Sequence, residues 1–167
     1  MSAVNSTVLP WQFVAPENVA DVTLKLVVSF ILAFVIGLER SVRHKPAGIR
    51  THVLVAMGST LFTITGMQVL PANGTNPARV IANIATGIGF IGAGVIMKSE
   101  DRVMGLTTAA SLWLIAAVGV AVGLGLYLTA LIATLLGLLV LLLRPLESYI
   151  VSRFEEWEKR RTKNGRH

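Results

Sequence analysis

Glu39 and Arg40 close one apolar run, and Arg50, Thr51 and His52 open the next, with Arg43, His44 and Lys45 between them. A carboxylate at the edge of a hydrophobic segment is costly unless it is paired. Two chemistries suit this group. Either Glu39 pairs with Arg40 or Arg50 and staples two helix ends, or Glu39 and His52 form a polar site for a cation or a regulator. His52 alone reads as a helix-end donor, since no second histidine stands at ligand spacing. No metal site and no catalytic group is expected. Ser59 and Ser111 are hydroxyls a hydrolase could use, but nothing in the sequence sets a base beside a serine.

A second group needs a different chemistry. Gly87–Gly92 reads G-x-G-x-x-G, the pattern that cradles a dinucleotide when it links a strand to a helix in a soluble βαβ unit. Here it lies inside Val80–Met97, an uncharged apolar run. Four glycines in the eight residues Gly87–Gly94 would weaken a soluble helix, at about 1 kcal/mol each relative to Ala. In a bilayer they let helix backbones approach closely. Gly87, Gly89, Gly92 and Gly94, with Thr107 and Thr108 at the start of the next run, are therefore expected to pack helices and not to bind a nucleotide. Ala82, Ala85, Gly89 and Ala93 make one small-residue stripe, and Gly87 and Gly94 a second. Two small faces place this helix at the centre of a bundle. His52, Ala56, Ser59, Thr63 and Gly66 line one face of the preceding helix; its hydroxyls, with Asn83, Thr86 and Ser111, are interhelical hydrogen-bonding groups.

The elements that position these residues follow from apolar length. Hydrophobic residues make up 53% of the 167-residue chain and charged residues 14%, against about 25% charged in a soluble domain. Mean hydropathy is +0.68. A bilayer span takes about 17–25 apolar residues. Val22–Leu38, Val53–Leu70 and Val80–Met97 each qualify. Val103–Leu143 runs 41 residues without a charge, twice what one span needs; its helix-breaking cluster is Gly119, Gly123 and Gly125, and it is expected to fold back near Gly123–Gly125. The fold class is thus all-α integral membrane with five transmembrane helices. Strands are not expected, because no segment alternates over ten positions. The domains are an extracytoplasmic segment 1–21, a membrane domain 22–143 and a tail 144–167.

Charge sets the orientation. The net charge of +6 would suggest nucleic acid in a soluble protein. However, thirteen of the fifteen Lys and Arg fall after span one, after span three or in the tail. Five spans put all three segments on one side, which is cytoplasmic by the positive-inside rule. The N-terminus then lies outside, and no nucleic-acid partner is expected. The first 21 residues lack the basic start of a cleavable signal peptide, so span one is expected to remain. Pro145 ends span five. Leu146, Ile150, Phe154 and Trp157 then share a helical face, with Lys159-Arg160-Arg161 beyond. This reads as a cytoplasmic amphipathic helix on anionic lipid, or as a partner-binding helix. Asn5-Ser6-Thr7 and Asn73-Gly74-Thr75 match glycosylation sequons; in a bacterial protein Asn73-Gly74 is simply a turn. With no cysteine, disulfides and thiolate chemistry are excluded.

GLER (Gly37–Arg40), AGIRTH (Ala47–His52), Gly58, NPAR (Asn76–Arg79), GIGFIGAGVI (Gly87–Ile96) and GLTTAASLW (Gly105–Trp113) together resemble the MgtC/SapB family over about Val22 to Leu143. The resemblance implies a multi-pass protein of the bacterial cytoplasmic (inner) membrane with a cytoplasmic C-terminus. It implies a role in magnesium homeostasis and, in some members, virulence-related survival in host phagocytes, by regulation of other membrane proteins; a Mg²⁺ transporter or channel is the alternative. No bound cofactor is implied beyond Mg²⁺ itself. Partners are the lipid bilayer, other membrane proteins and a second copy in a homodimer. Two departures stand out: Asn76 where many relatives carry Asp, and a short tail where the fullest members carry an ACT-like domain.

Overall fold

The computed structural model describes residues 18–69, 78–99, 102–143, 149, 152–154, 157 and 161. Five helices follow one another: α1 (Val19–Val42), α2 (Ile49–Val69), α3 (Ala78–Gly94), α4 (Leu106–Gly123) and α5 (Tyr127–Leu142). Asn18 starts α1, accepting a hydrogen bond from the Ala20 amide at 3.1 Å, as a capping side chain does. Asp21 and Lys25 then pair one turn apart at 2.8 Å, which removes the isolated charge from the first run. The 41-residue apolar run breaks where its glycines demand. α4 stops at Gly123 and α5 starts at Tyr127, with Gly125 in the left-handed region at φ 78°.

The architecture is all-α, with one addition. Met97–Ser99 (β1) pairs antiparallel with Arg102–Met104 (β2), in the register Met97↔Met104 and Ser99↔Arg102. Met97 and Val103 therefore belong to an exposed hairpin and not to the ends of spans three and four. Lys98 and Arg102 interrupt the apolar run here, and a hairpin satisfies backbone groups that helix ends leave unpaired. Gly105 closes it at φ 91°, where an added Cβ would strike the Val95 carbonyl oxygen.

α4 is the central helix, and the expectation that α3 would be is corrected. α4 touches all four others, and its side chains Leu112, Ile115, Val118 and Val122 are buried on several sides. Ile115, Val118 and Val122 share one core cluster with Leu32, Ala33 and Ile36 of α1, Val53 and Ala56 of α2, and Ala130 and Leu141 of α5. The reason is in the glycines of α4. A Cβ at Gly119 would strike the Ala56 carbonyl oxygen, and one at Gly123 would lie 2.7 Å from Thr63 Cβ and 3.0 Å from the Thr60 carbonyl oxygen. These two residues, four apart, bring the α4 backbone onto α2, the close approach small-xxx-small spacing permits. Thr60 Oγ1 sits in the same seam, 2.9 Å from the Gly119 oxygen and 3.0 Å from Ser29 Oγ of α1. α3, by contrast, buries only Ile88 and Gly92 and leaves an open groove of about 770 Å³ against α2.

The outer surface is apolar. Leu24, Phe30, Ile31, Phe62, Leu128, Leu135 and Val140 are exposed, a covering that suits lipid and not water. α1 and α4 are long and apolar enough to cross a membrane by length and composition; α3 and α5 are apolar but shorter.

Candidate functional site

The residues singled out around Glu39 and His52 meet at the end of the bundle that carries the basic loops. α1 ends at Val42, and a turn with His44 in the left-handed region (φ 51°) returns the chain to α2. The turn is held from both sides: Ser41 Oγ accepts the Ile49 amide at 3.0 Å, and a Cβ at Gly48 would collide with that same Oγ. A Cβ at Gly37 would lie 2.6 Å from Ile49 Cα and 3.3 Å from His52 Cβ. The glycines of GLER and AGIRTH thus close α1 on α2 where Glu39 and His52 stand.

Glu39 is the centre of a buried charge group. Its side chain is 8% exposed and that of Arg40 3%. Arg40 Nε donates to Glu39 Oε2. Arg43 Nε lies 2.7 Å from Oε1, an ion pair without hydrogen-bond alignment, since Oε1 has no aligned donor. One carboxylate therefore faces two guanidinium groups. The pairing with Arg40 is present, but both residues belong to α1, so it staples no second helix end. The pairing with Arg50 is not present: Arg50 is exposed, because the turn at His44 aims the start of α2 so that His52 faces inward. Thr51, one residue on, is half-buried.

His52 is fully buried and ties α2 to α4. Nδ1 lies 2.9 Å from the Gly48 carbonyl oxygen, which can only accept, so Nδ1 carries a proton. Nε2 lies 3.0 Å from Ser111 Oγ, which is also 2.8 Å from the Thr108 carbonyl oxygen. The structure therefore does set a base beside a serine, 59 positions apart in sequence, where sequence reading saw none. A hydrolytic pair must also reach a substrate. Ser111 is 4% exposed and His52 0%, so the contact reads as an interhelical lock.

The packing residues divide. Thr108 is buried in this cluster, whereas Thr107 is exposed. Gly92 meets Ala109 of α4 at 3.6 Å, while a Cβ at Gly87, Gly89 or Gly94 would meet nothing within 4 Å. Among the described residues no group of three or more His, Cys, Asp or Glu could hold a metal ion. Sequence reading missed Ser41, Arg43 and the Gly119–Gly123 pair as structural determinants. The last had a signal, small residues four apart, hidden by reading Gly119 and Gly123 only as helix breakers. Asn76 lies outside the described residues.

Three of the motifs, GLER, AGIRTH and GLTTAASLW, thus contribute Glu39–Arg40, Gly48–His52 and Thr108–Ser111 to one end of the bundle. The sequence profile of the MgtC family matches residues 26–149. The chain belongs to the MgtC family. Among MgtC-family relatives, the protein of Escherichia coli K12 named "Putative magnesium transporter YhiD" is 42% identical over 73% of this chain and 60% of its own length. A Brucella abortus protein named MgtC is 48% identical over 71% of this chain and 49% of its own. An uncharacterized Haemophilus influenzae protein is 36% identical over 95% of this chain and 69% of its own. The chain therefore spans about half to two thirds of these relatives' length. No solved structure matches it.

Proposed function

We propose that this MgtC-family chain is a five-span, non-enzymatic protein of the bacterial cytoplasmic membrane that takes part in magnesium homeostasis as a regulator, through helix contacts with other membrane proteins. The magnesium role comes from the family and from the printed name of the Escherichia coli relative. The observation that carries the regulatory reading is the end cluster. Its charges and hydrogen-bonding groups are spent on one another, Glu39 on Arg40 and Arg43, His52 on Gly48 and Ser111. Ion relays usually place carboxylates at depth within the membrane, and Mg²⁺ asks for several oxygen ligands with its waters. Residues 26–38, 53–69, 80–94, 106–123 and 127–142 carry no charged side chain and offer hydroxyls, amides and carbonyls; Lys25 pairs with Asp21 near the start of α1.

In this reading the loops bearing Arg43, Lys45 and Lys98 face the cytoplasm and the tail lies on the inner leaflet. Phe154 and Trp157 are exposed there, with the Arg161 guanidinium 5.4 Å from the Trp157 ring centroid; an aromatic side chain beside a cation suits the lipid interface. The second reading, a Mg²⁺ transporter or channel, is favoured by the name of the Escherichia coli relative. Purified protein in liposomes loaded with a Mg²⁺ dye separates the two. The regulator passes no more Mg²⁺ than protein-free liposomes. Saturable flux that is lost in Glu39→Gln overturns the regulatory reading in favour of transport.

A further inference from the structure

GIGFIGAG takes almost no part in the packed bundle. On α3, Asn83, Gly87, Phe90 and Gly94 recur at spacings of four, three and four, one helical seam, and all four are exposed. Phe90 is 85% exposed. Gly87 and Gly94, one on each side of it along the seam, have open space where a Cβ would stand. Asn83 borders the groove between α2 and α3 with Gly87 and Ser59, and its amide meets no hydrogen-bond partner among the described residues. A carboxamide has two donors and two acceptor sites, and lipid tails satisfy none of them. Lipid alone is therefore a poor cover for this face.

We propose that the seam is the contact with a second copy of this chain, α3 against α3. The inference rests on the reading of α3 as a membrane span. Two copies inserted in the same sense are related by a two-fold axis along the membrane normal, so their α3 helices run parallel and each seam residue lies near its own counterpart. Asn83 is self-complementary in that arrangement: each amide donates N–H to the other's oxygen. Phe90 is the knob, and the gaps at Gly87 and Gly94 of the partner are the holes. A single Asn in such a seam also fixes register. The seam from Asn83 to Gly94 carries no charge; Arg79, one turn before Asn83 at the start of α3, is the nearest.

The chain contains no cysteine, so single-cysteine variants report contacts directly. Variants Asn83→Cys, Gly87→Cys, Phe90→Cys and Gly94→Cys, with Ala85→Cys, Gly89→Cys and Leu135→Cys as controls, are oxidised in native membranes and run without reductant. The proposal expects a band at twice the chain mass that is strong for the four seam positions and weak for the controls. Asn83→Leu should lower the association constant about tenfold, at about threefold for each of two lost interhelical hydrogen bonds. Cross-linking that is even around α3, or strongest at Ala85, Gly89 or Leu135, overturns it. Carbonate extraction of each variant tests the spanning reading separately. Protein released by carbonate defeats that reading and the dimer with it; retained protein without seam cross-links defeats the dimer alone.

Discussion

Glu39 holds two arginines with one carboxylate, and that imbalance decides what its removal does. Glu39→Ala leaves Arg40 almost fully buried with no counter-charge. Removing one partner of a buried pair costs about 3–5 kcal/mol. The expected outcome is a steep fall in membrane abundance on immunoblot, smaller for Glu39→Asp, which keeps the charge. Arg50→Ala should leave abundance unchanged, because Arg50 is exposed and outside the cluster. Equal loss in the two variants would mean that Arg50 shares the pairing after all. The Glu39–Arg40 contact was legible in sequence because the partners are adjacent. The choice of Arg43 over Arg50 was not, since both are within reach of a ten-residue return and only the turn at His44 excludes the second. The His52–Ser111 contact was out of reach for the same kind of reason: it joins two helices whose relative rotation no local pattern states.

At the level of elements, the two glycine-rich helices differ in what their glycines meet. Gly119 of α4 lies against the Ala56 backbone, and Gly89 of α3 against nothing. Gly119→Ala must push α2 and α4 apart, and overpacking of this kind costs about 1–3 kcal/mol. Gly89→Ala adds helix propensity without a clash. The expected outcome is a lower melting temperature in detergent for Gly119→Ala and an unchanged or higher one for Gly89→Ala; the reverse order would restore α3 to the centre. Small residues on a helix announce that a close approach is available. They do not name the helix that uses it, which is why the densest glycine motif was assigned to the middle of the bundle and the sparser Gly119–Gly123 pair was taken for a break. The break itself was well marked, because a 41-residue apolar helix exceeds any bilayer and Gly125 alone there adopts positive φ.

For the whole molecule, the proposed five-span arrangement puts the two ends of the bundle in different compartments, with the basic loops on the cytoplasmic side. A cysteine at Asn73 and one at Lys98, each in the otherwise cysteine-free chain, should react with an impermeant maleimide from opposite sides of the membrane. Labelling of both from the same side would break the five-span arrangement. Asn73 itself lies outside the described residues.

Apolar run length, the glycine break and the positions of Lys and Arg are one-dimensional properties, and they were enough to define five helices in order, within a few residues of their ends, and to mark Glu39 and Arg40 as a charged pair. Family membership was equally readable, since it resides in the order and spacing of motifs. Only the tertiary structure decided which helix is central, that Met97–Ser99 pairs with Arg102–Met104, that Ser111 completes the His52 contact, and that Asn83, Gly87, Phe90 and Gly94 remain uncovered. Each of these depends on the rotation of one helix about its axis relative to another. In lipid that rotation is set by close packing and interhelical hydrogen bonds between residues far apart in the chain, where hydrophobic periodicity gives little guidance because the exterior is as apolar as the core.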